Sequence, residues 1–371
     1  MLAGLTSNGT FSTFKPLAIA RLFQANTRIN YHCIGFSSAS FSTGLLSLFM
    51  ASDNLLNWFK APIVKLGRRL LDALAHRIAA RLQAGLIPTA ASQPALPLLP
   101  DTVIALDYPV HPRARWGNAW GLPAHDALEK IIWRNDKSII ATLETIAGYR
   151  EDLRNIPARA PEDHDTPRWI NGWLPGLDGA ALYALVRERR PAVYWEVGSG
   201  NSTRFVKRAI VDGNLPTRIV SIDPSPRAEI DRLCDEVLRA PLEDICALLQ
   251  ARICSGDVCF IDCSHRAFQN SDVTVAMLEL LPSLPPDVVI GFHDIFLPDD
   301  YPPEWAGRYY NEQYLLAMFL LGGHAGMEII LPAWAASRRP VLAAKVASIW
   351  EGEEFAEVER HGDAFWLRSL S

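Results

Sequence analysis

The spacing of hydrophobic and polar residues changes at about position 166, and this change separates two predicted regions. Between residues 124 and 157 apolar side chains recur at helical spacing. From residue 166 onward, short apolar runs alternate with helical patterns. Such alternation predicts a mostly parallel sheet with helices on both faces. We therefore expect an α/β domain at 166–371, preceded by a helical N-terminal extension.

Each predicted strand of this domain is short, and several end in a carboxylate. The first strand is expected at 192–197, and the runs TRIVSID, DVCFIDCSH and DVVIGFHDI lead to Asp223, Asp262 and Asp294. Two late runs, GMEIILPAWAAS and DAFWLRSL, predict further strands, the last compatible with an antiparallel addition at the sheet edge. Because ligands of parallel sheets bind at the carboxyl ends of the strands, the three aspartates are expected at a ligand cleft. Helical patterns separate the strands, at about 177–189, 202–212, 226–236, 241–252 and 270–283.

The residues before this domain divide into two predicted segments. Residues 1–52 hold three basic residues and no acidic residue before Asp53. This composition is typical of an organelle transit peptide, and it equally fits an over-extended start with Met50 as the true initiator. In both cases the segment is expected to be poorly ordered. Residues 53–165 are predicted to form a helical extension or lid, with a Pro-rich linker at 87–100.

A basic amphipathic pattern runs through residues 54–86. Such a helix can contact an anionic membrane surface, or it can pack on its own protein with a solvated basic face. The extension also offers a surface for a homo-oligomer contact.

Composition narrows the class of protein. The chain is 49% hydrophobic and 21% charged, as in soluble globular proteins. Its net charge of −5 argues against a nucleic-acid partner, and no apolar run approaches the ~18–20 residues that span a bilayer. The six cysteines contain no C-x-x-C pair, so reduced thiols are expected rather than a zinc or redox site. We expect a cytoplasmic protein that acts on a small molecule.

The stretch VGSGNST, directly after the first predicted strand, indicates a ligand-binding turn. A dinucleotide fingerprint requires a third glycine, but Thr203 occupies that position, and Glu196 would repel a pyrophosphate. A phosphate-free cofactor with a positive centre fits better, because Glu196 can face a cation and the glycines allow close backbone approach. The alternatives are a nicotinamide-dependent oxidoreductase and a non-catalytic nucleoside-binding scaffold.

Four motifs in order, EVGSGNST, IDP, FIDCSH and GFHDI, resemble those of class I S-adenosylmethionine-dependent methyltransferases. The similarity is to a subgroup with E-x-G-S-G-x-S-T, then F-I-D-G-S-H, then a strand ending in His-Asp, and it covers residues 166–371. The resemblance implies a Rossmann-like methyltransferase fold and S-adenosylmethionine as cofactor. Cys263 replaces the usual glycine after Asp262, which leaves the turn geometry beside the substrate open.

The resemblance also implies roles for individual residues. The turn would contact the methionine end of the cofactor, and Asp223 would bind the ribose. Ser202 and Thr203 would cap the following helix. The implied cofactor set is Glu196, Gly198, Gly200, Asn201, Ser202, Thr203, Asp223 and Asp262.

The acceptor side is predicted at two neighbouring strand ends. Related O-methyltransferases place a divalent metal there, so Asp262, His293 and Asp294 are the hypothetical ligands of Mg²⁺ or Mn²⁺. Without a metal, His265 or His293 would serve as general base, oriented by Asp262 or Asp294. The predicted catalytic residues are therefore His265, His293 and Asp262, acting on a hydroxyl of a sugar or another small metabolite.

Overall fold

The computed structural model describes residues 110–159, 165–226, 229–324 and 326–370. The predictions for 1–52, for the basic helix at 54–86 and for the linker at 87–100 lie outside these ranges. His111–Ser371 belongs to one compact unit. Within the described residues, no helix is long and apolar enough to cross a membrane.

A seven-stranded sheet organises this unit, in the order β3-β2-β1-β4-β5-β7-β6. The first five strands run parallel, and the last strand, β7, is antiparallel to both of its neighbours. The α/β prediction is confirmed. The last strand is antiparallel but lies inside the sheet, because β6 pairs along its outer side. The strands are β1 (Val193–Val197), β2 (Arg218–Ile222), β3 (Glu236–Leu238), β4 (Val258–Ile261), β5 (Val289–Phe292), β6 (Met327–Pro332) and β7 (Phe365–Ser369).

Helices cover both faces of the sheet. Between Ala276 and Leu280 the chain makes a π-helical turn that joins two α-helical segments. The described α-helices are α1 (Asp126–Ile132), α2 (Asp136–Gly148), α3 (Arg150–Arg154), α4 (Gly176–Arg189), α5 (Asn201–Gly213), α6 (Leu242–Arg252), α7 (Asp272–Val275), α8 (Leu281–Ser283), α9 (Glu312–Leu321), α10 (Ala333–Ser337) and α11 (Pro340–Val346).

The helix predicted at 226–236 is wrong. The described part of this segment contains a short 3₁₀ turn at Asp231–Leu233, and β3 begins at Glu236. The segment pairs with the edge of β2 instead, as strand β3. The Asp235 side chain strengthens this contact, because it accepts a hydrogen bond from the Ile219 backbone N–H at 2.8 Å. Sheet pairing therefore outweighs the local helical pattern.

The core consists of two layers, one on each face of the sheet, because successive strand residues point to opposite faces. Tyr194 and Phe260 belong to one layer, and Trp195 belongs to the other. Ile139 and Leu143 of α2 lie in the same layer as Phe260. The helices before position 166 thus pack as cover for the sheet, and the described residues show no separate core on the N-terminal side of that position.

Candidate active site

The glycine turn after β1 touches the end of β4 directly. Gly198 adopts a φ of +78°, and a Cβ added there would lie 1.7 Å from the Asp262 carbonyl oxygen. The Gly198 N–H donates to the Ile222 carbonyl at 2.9 Å. Both the left-handed backbone and the close approach exclude a side chain at this position. Gly200 differs, since its φ of 177° is extended and an added Cβ would meet nothing within 4 Å.

Glu196 supports the turn from inside the protein. Its side chain is fully buried, and its carboxylate accepts hydrogen bonds from the Tyr194 hydroxyl at 2.8 Å and from the Thr203 hydroxyl. Thr203 Oγ in turn accepts from the Gly200 N–H at 3.0 Å, so the predicted capping role of Thr203 is seen. The prediction that the Glu196 charge faces the ligand is wrong, because two hydroxyl groups hold the carboxylate in the core.

Burial raises the pKa of Glu196 to about 7, although the Thr203, Ser202 and Tyr194 hydroxyls partly offset it. The folded protein therefore binds this proton more tightly than the unfolded chain. The associated stability is complete below a pH of about 4.5 and is lost as the pH rises towards 7.

Glu196→Gln, which imitates the protonated acid, is expected to be insensitive to this loss. Relative to the variant, the parent protein should lose about 2.5 kcal/mol of unfolding free energy between pH 5 and pH 8. Urea unfolding at both pH values measures the difference. Glu304→Gln, at an exposed position, is the matched control. If the unfolding free energies of the parent protein and Glu196→Gln differ by the same amount at both pH values, the pKa of Glu196 is not raised.

Asp223 lies on the same rim as the turn. Its carboxylate accepts from the Ser199 N–H at 3.0 Å and from the Ser225 N–H at 2.8 Å. The Ser199 hydroxyl also bonds to the Ser221 hydroxyl at 2.7 Å. The turn and the end of β2 are thus tied together, and the Asp223 side chain remains partly exposed.

Asn201 and Ser202, the other predicted cofactor residues, open α5. Asn201 bonds to Asn171 at 3.2 Å and accepts from Arg204 at 2.6 Å, whereas Ser202 is buried.

The predicted acceptor residues converge at the ends of β4 and β5. His265 Nε2 lies 3.2 Å from an oxygen of Asp262 and 3.2 Å from an oxygen of Asp294. His293 Nδ1 faces the same pair from the other side, at 3.5 Å and 3.6 Å. His265 and Asp294 have left-handed backbones, with φ of 58° and 56°, which are strained for residues other than glycine. The carboxylate pair is therefore held between two imidazoles.

Three buried acids stand behind these imidazoles, and sequence reasoning missed them. Glu312 lies 2.8 Å from His265 Nδ1. Asp363 lies 2.9 Å from His293 Nε2, and Asp178 lies 3.5 Å from the same nitrogen. Asp178 and Glu312 each occur within an apolar helical pattern, and a charge in such a pattern was the available signal.

The protonation of this network follows from its charges. Burial lowers the pKa of His265, but Asp294, Asp262 and Glu312 outweigh burial and raise it well above its ordinary value. The pKa of His293 is raised in the same way. Burial raises the pKa of Asp262, yet the two histidines bring it below its ordinary value. Both imidazoles therefore hold their second proton more tightly than a free imidazole does, which works against the predicted role of general base.

His293 also belongs to a compact set of potential metal ligands. Among the described residues, Asp178, His293 and Asp363 bring three ligand atoms close to one another, and all three side chains are buried. The predicted set, Asp262, His293 and Asp294, uses the opposite ring nitrogen. Its oxygen and imidazole donors suit a divalent cation, and its two carboxylates are the ones that reach the surface of the cleft.

Comparison with known proteins gives one family match. Residues 195–295 match the model of a family described as a methyltransferase domain. No curated protein sequence matches the chain.

Several solved structures show similarity at low TM-scores. A methyltransferase of Podospora anserina, PaMTH1, is 16% identical over 61% of this chain and 88% of its own, with a TM-score of 0.34. An O-methyltransferase from Bacillus cereus is 16% identical over 62% of this chain and 91% of its own, with a TM-score of 0.34. TomG, an O-methyltransferase from Streptomyces achromogenes, is 16% identical over 60% and 90%, with a TM-score of 0.33.

Proposed function

We propose, from the match of residues 195–295 to a methyltransferase domain, that the protein is a class I methyltransferase that transfers a methyl group from S-adenosylmethionine to a hydroxyl of a small acceptor, a sugar or another small metabolite. One observation carries the proposal. The glycine turn that would receive the cofactor is in backbone contact with Asp262, the first residue of the acceptor side. This contact supports the proposal, because the proposed donor and acceptor sites would be adjacent at the carboxyl ends of the strands, as a direct transfer requires.

The donor half has the features that the cofactor needs. S-adenosylmethionine supplies an electrophilic methyl group on a sulfonium. The open space above Gly200 leaves the backbone of the turn accessible, and the carboxylate of Asp223 keeps lone pairs for hydroxyl donors. Glu196 contributes by fixing Thr203 and the turn, not by direct contact.

The acceptor half presents two carboxylates to the cleft. The side chains of Asp262 and Asp294 are 33% and 13% exposed, whereas His265 and His293 behind them are nearly buried. The two histidines lower the pKa of Asp262, and their contacts fix the orientation of both carboxylates. One of these carboxylates would accept a hydrogen bond from the acceptor hydroxyl, align its oxygen for transfer and take its proton as the new C–O bond forms and the C–S bond of the sulfonium breaks.

A divalent cation bound by Asp262, Asp294 and His293 is part of the proposal, and it would require His293 Nδ1 to give up its proton and face the cation with its lone pair. Such a cation would lower the pKa of a bound hydroxyl. Treatment with a chelator is expected to reduce turnover by at least about tenfold without changing the affinity for S-adenosylhomocysteine, and added Mg²⁺ or Mn²⁺ should restore activity. Unchanged turnover would exclude the divalent cation from the reaction.

Calorimetric titration separates the proposed function from an oxidoreductase. We expect S-adenosylhomocysteine to bind and NADH not to bind. A dinucleotide-binding turn has its third glycine at the position of Thr203. Here a threonine side chain occupies that position and is held by hydrogen bonds to Glu196 and Gly200, which supports the expectation. Binding of NADH alone would overturn the proposal. A screen of sugars and phenols with a labelled methyl donor then distinguishes an enzyme from a nucleoside-binding scaffold.

A further inference from the structure

Two arginines beside the acceptor site stack on aromatic rings. The ring of Tyr310 lies 4.7 Å from the ring of His265. The guanidinium of Arg266 lies 5.0 Å from the centre of the Tyr310 ring, and that of Arg308 lies 5.6 Å from it. Arg308 also lies over Trp305, at 3.6 Å. Both guanidinium groups are therefore one aromatic ring away from the histidine that contacts Asp262 and Asp294.

Neither arginine has an acidic partner among the described residues. Arg266 donates to the carbonyl oxygens of Arg308 and Ser264, at 3.0 Å and 3.2 Å, which fixes the plane of its guanidinium. The side chain of Arg308 makes no hydrogen bond or ion pair to the described residues and is held by its aromatic contacts. Its five N–H donors are thus without protein acceptors in this part of the chain.

Arg252 shows the contrasting arrangement in the same protein. It also stacks on an aromatic ring, Trp195, at 5.0 Å, but it forms two hydrogen bonds of 2.7 Å with the carboxylate of Glu236. Stacking restricts a guanidinium before an anion arrives, so less side-chain freedom is lost on binding. Arg266 and Arg308 are restricted by stacking in the same way, but no carboxylate of the described residues pairs with them.

We propose that Arg266 and Arg308 bind an anionic group, a carboxylate or a phosphate, on the methyl acceptor. Both groups offer the planar or clustered oxygens that a guanidinium recognises. The acceptor is then an acidic small molecule whose hydroxyl reaches Asp262 and Asp294 while its charge lies across Tyr310. The assignment to the acceptor rests on the proposed function, but anion binding itself does not require turnover.

Titration of the full-length protein with inorganic phosphate and with acetate, at constant ionic strength in chloride, tests the anion site. We expect saturable binding of one or both anions, weakened at least about tenfold in Arg308→Gln and in Arg266→Gln, because the charge-assisted bonds are lost. Arg308→Lys keeps the positive charge but lacks the planar N–H donors of the guanidinium, so its affinity should lie between those of the parent protein and Arg308→Gln. Arg338→Gln is the matched control, since Arg338 stacks on Trp334 at 5.5 Å, is exposed and has no ion pair to the described residues.

Each outcome decides the proposal. Binding of phosphate alone assigns a phosphoryl group, and binding of acetate alone assigns a carboxylate. No saturable binding, or equal binding by the parent protein and Arg308→Gln when both unfold at the same temperature, overturns it. Titration with S-adenosylhomocysteine is run in parallel. If the parent protein does not bind S-adenosylhomocysteine, the proposed function is refuted, but the anion site is still tested by the phosphate and acetate titrations.

The acceptor screen adds a readout during turnover. Glucose, glucuronate and glucose 6-phosphate form a matched series that differs in charge. We expect an acidic member to be methylated at least about tenfold more efficiently than glucose, with the advantage lost in Arg308→Gln through a higher KM. Preference for the neutral sugar would contradict the inference.

Discussion

Gly198→Ala is expected to destabilise the protein severely and to abolish binding of S-adenosylhomocysteine. The added Cβ would lie 1.7 Å from the Asp262 carbonyl oxygen, and the φ of +78° is unfavourable for alanine. The turn and the end of β4 would have to separate, at a cost of about 3 kcal/mol or more. Thermal and urea unfolding measure this loss.

Gly200→Ala is the matched control at the other end of the same turn. Its backbone is extended and its Cβ position is open, so stability should change by less than about 1 kcal/mol. If the cofactor lies above this turn, the new methyl group should still weaken the affinity for S-adenosylhomocysteine. Similar unfolding free energies for the two variants would show that Gly198 does not contact β4 as described.

Asp262→Asn is expected to lower turnover by at least about a hundredfold, within the usual range for a group that directs proton transfer or alignment. The histidines hold the pKa of Asp262 below its ordinary value, so the substitution removes a negative charge at every pH suitable for assay. The two imidazoles would keep Asp294 as their shared partner at the cleft. Initial rates with a labelled methyl donor, at saturating acceptor, give the measurement.

Asp287→Asn serves as the control for this variant. Asp287 lies before the amino end of β5, whereas the candidate site lies at its carboxyl end. Asparagine tolerates the φ of 65° at this position. The Asp287 carboxylate is half exposed in its ion pair with Arg189, and Arg189 also donates to the Asp287 carbonyl oxygen, a bond that the variant keeps, so both turnover and stability should stay close to those of the parent protein. Full activity in Asp262→Asn would remove Asp262 from the reaction.

Local sequence patterns carried most of the fold and the positions of the site residues. The strand ends at Asp223, Asp262 and Asp294 were predictable, because short apolar runs alternating with helices permit few arrangements other than a parallel sheet. The glycine turn was predictable for a similar reason. Its residues follow a buried strand at once, and Gly198 has a conformation that few other residues adopt.

Contacts between distant segments were not predictable. The segment at 226–236 reads as a helix in isolation, yet the free edge of β2 draws its end into β3. The sequence suggests that Glu196 binds a cation, yet its carboxylate is buried and accepts hydrogen bonds from the Tyr194 and Thr203 hydroxyls. In the first case the deciding partner is another strand. In the second the partners lie within seven residues of Glu196, and only the folded backbone shows that the carboxylate points towards them.

By itself, the sequence determined a parallel α/β sheet and the turn at its edge, because strand length, helical spacing and glycine conformation are properties of neighbouring residues. Only the tertiary structure decided that Glu312 lies against His265 and that Asp178 and Asp363 lie against His293. Those acids come from segments far apart along the chain, and burial together with opposite charge, rather than sequence spacing, brings them to the two imidazoles.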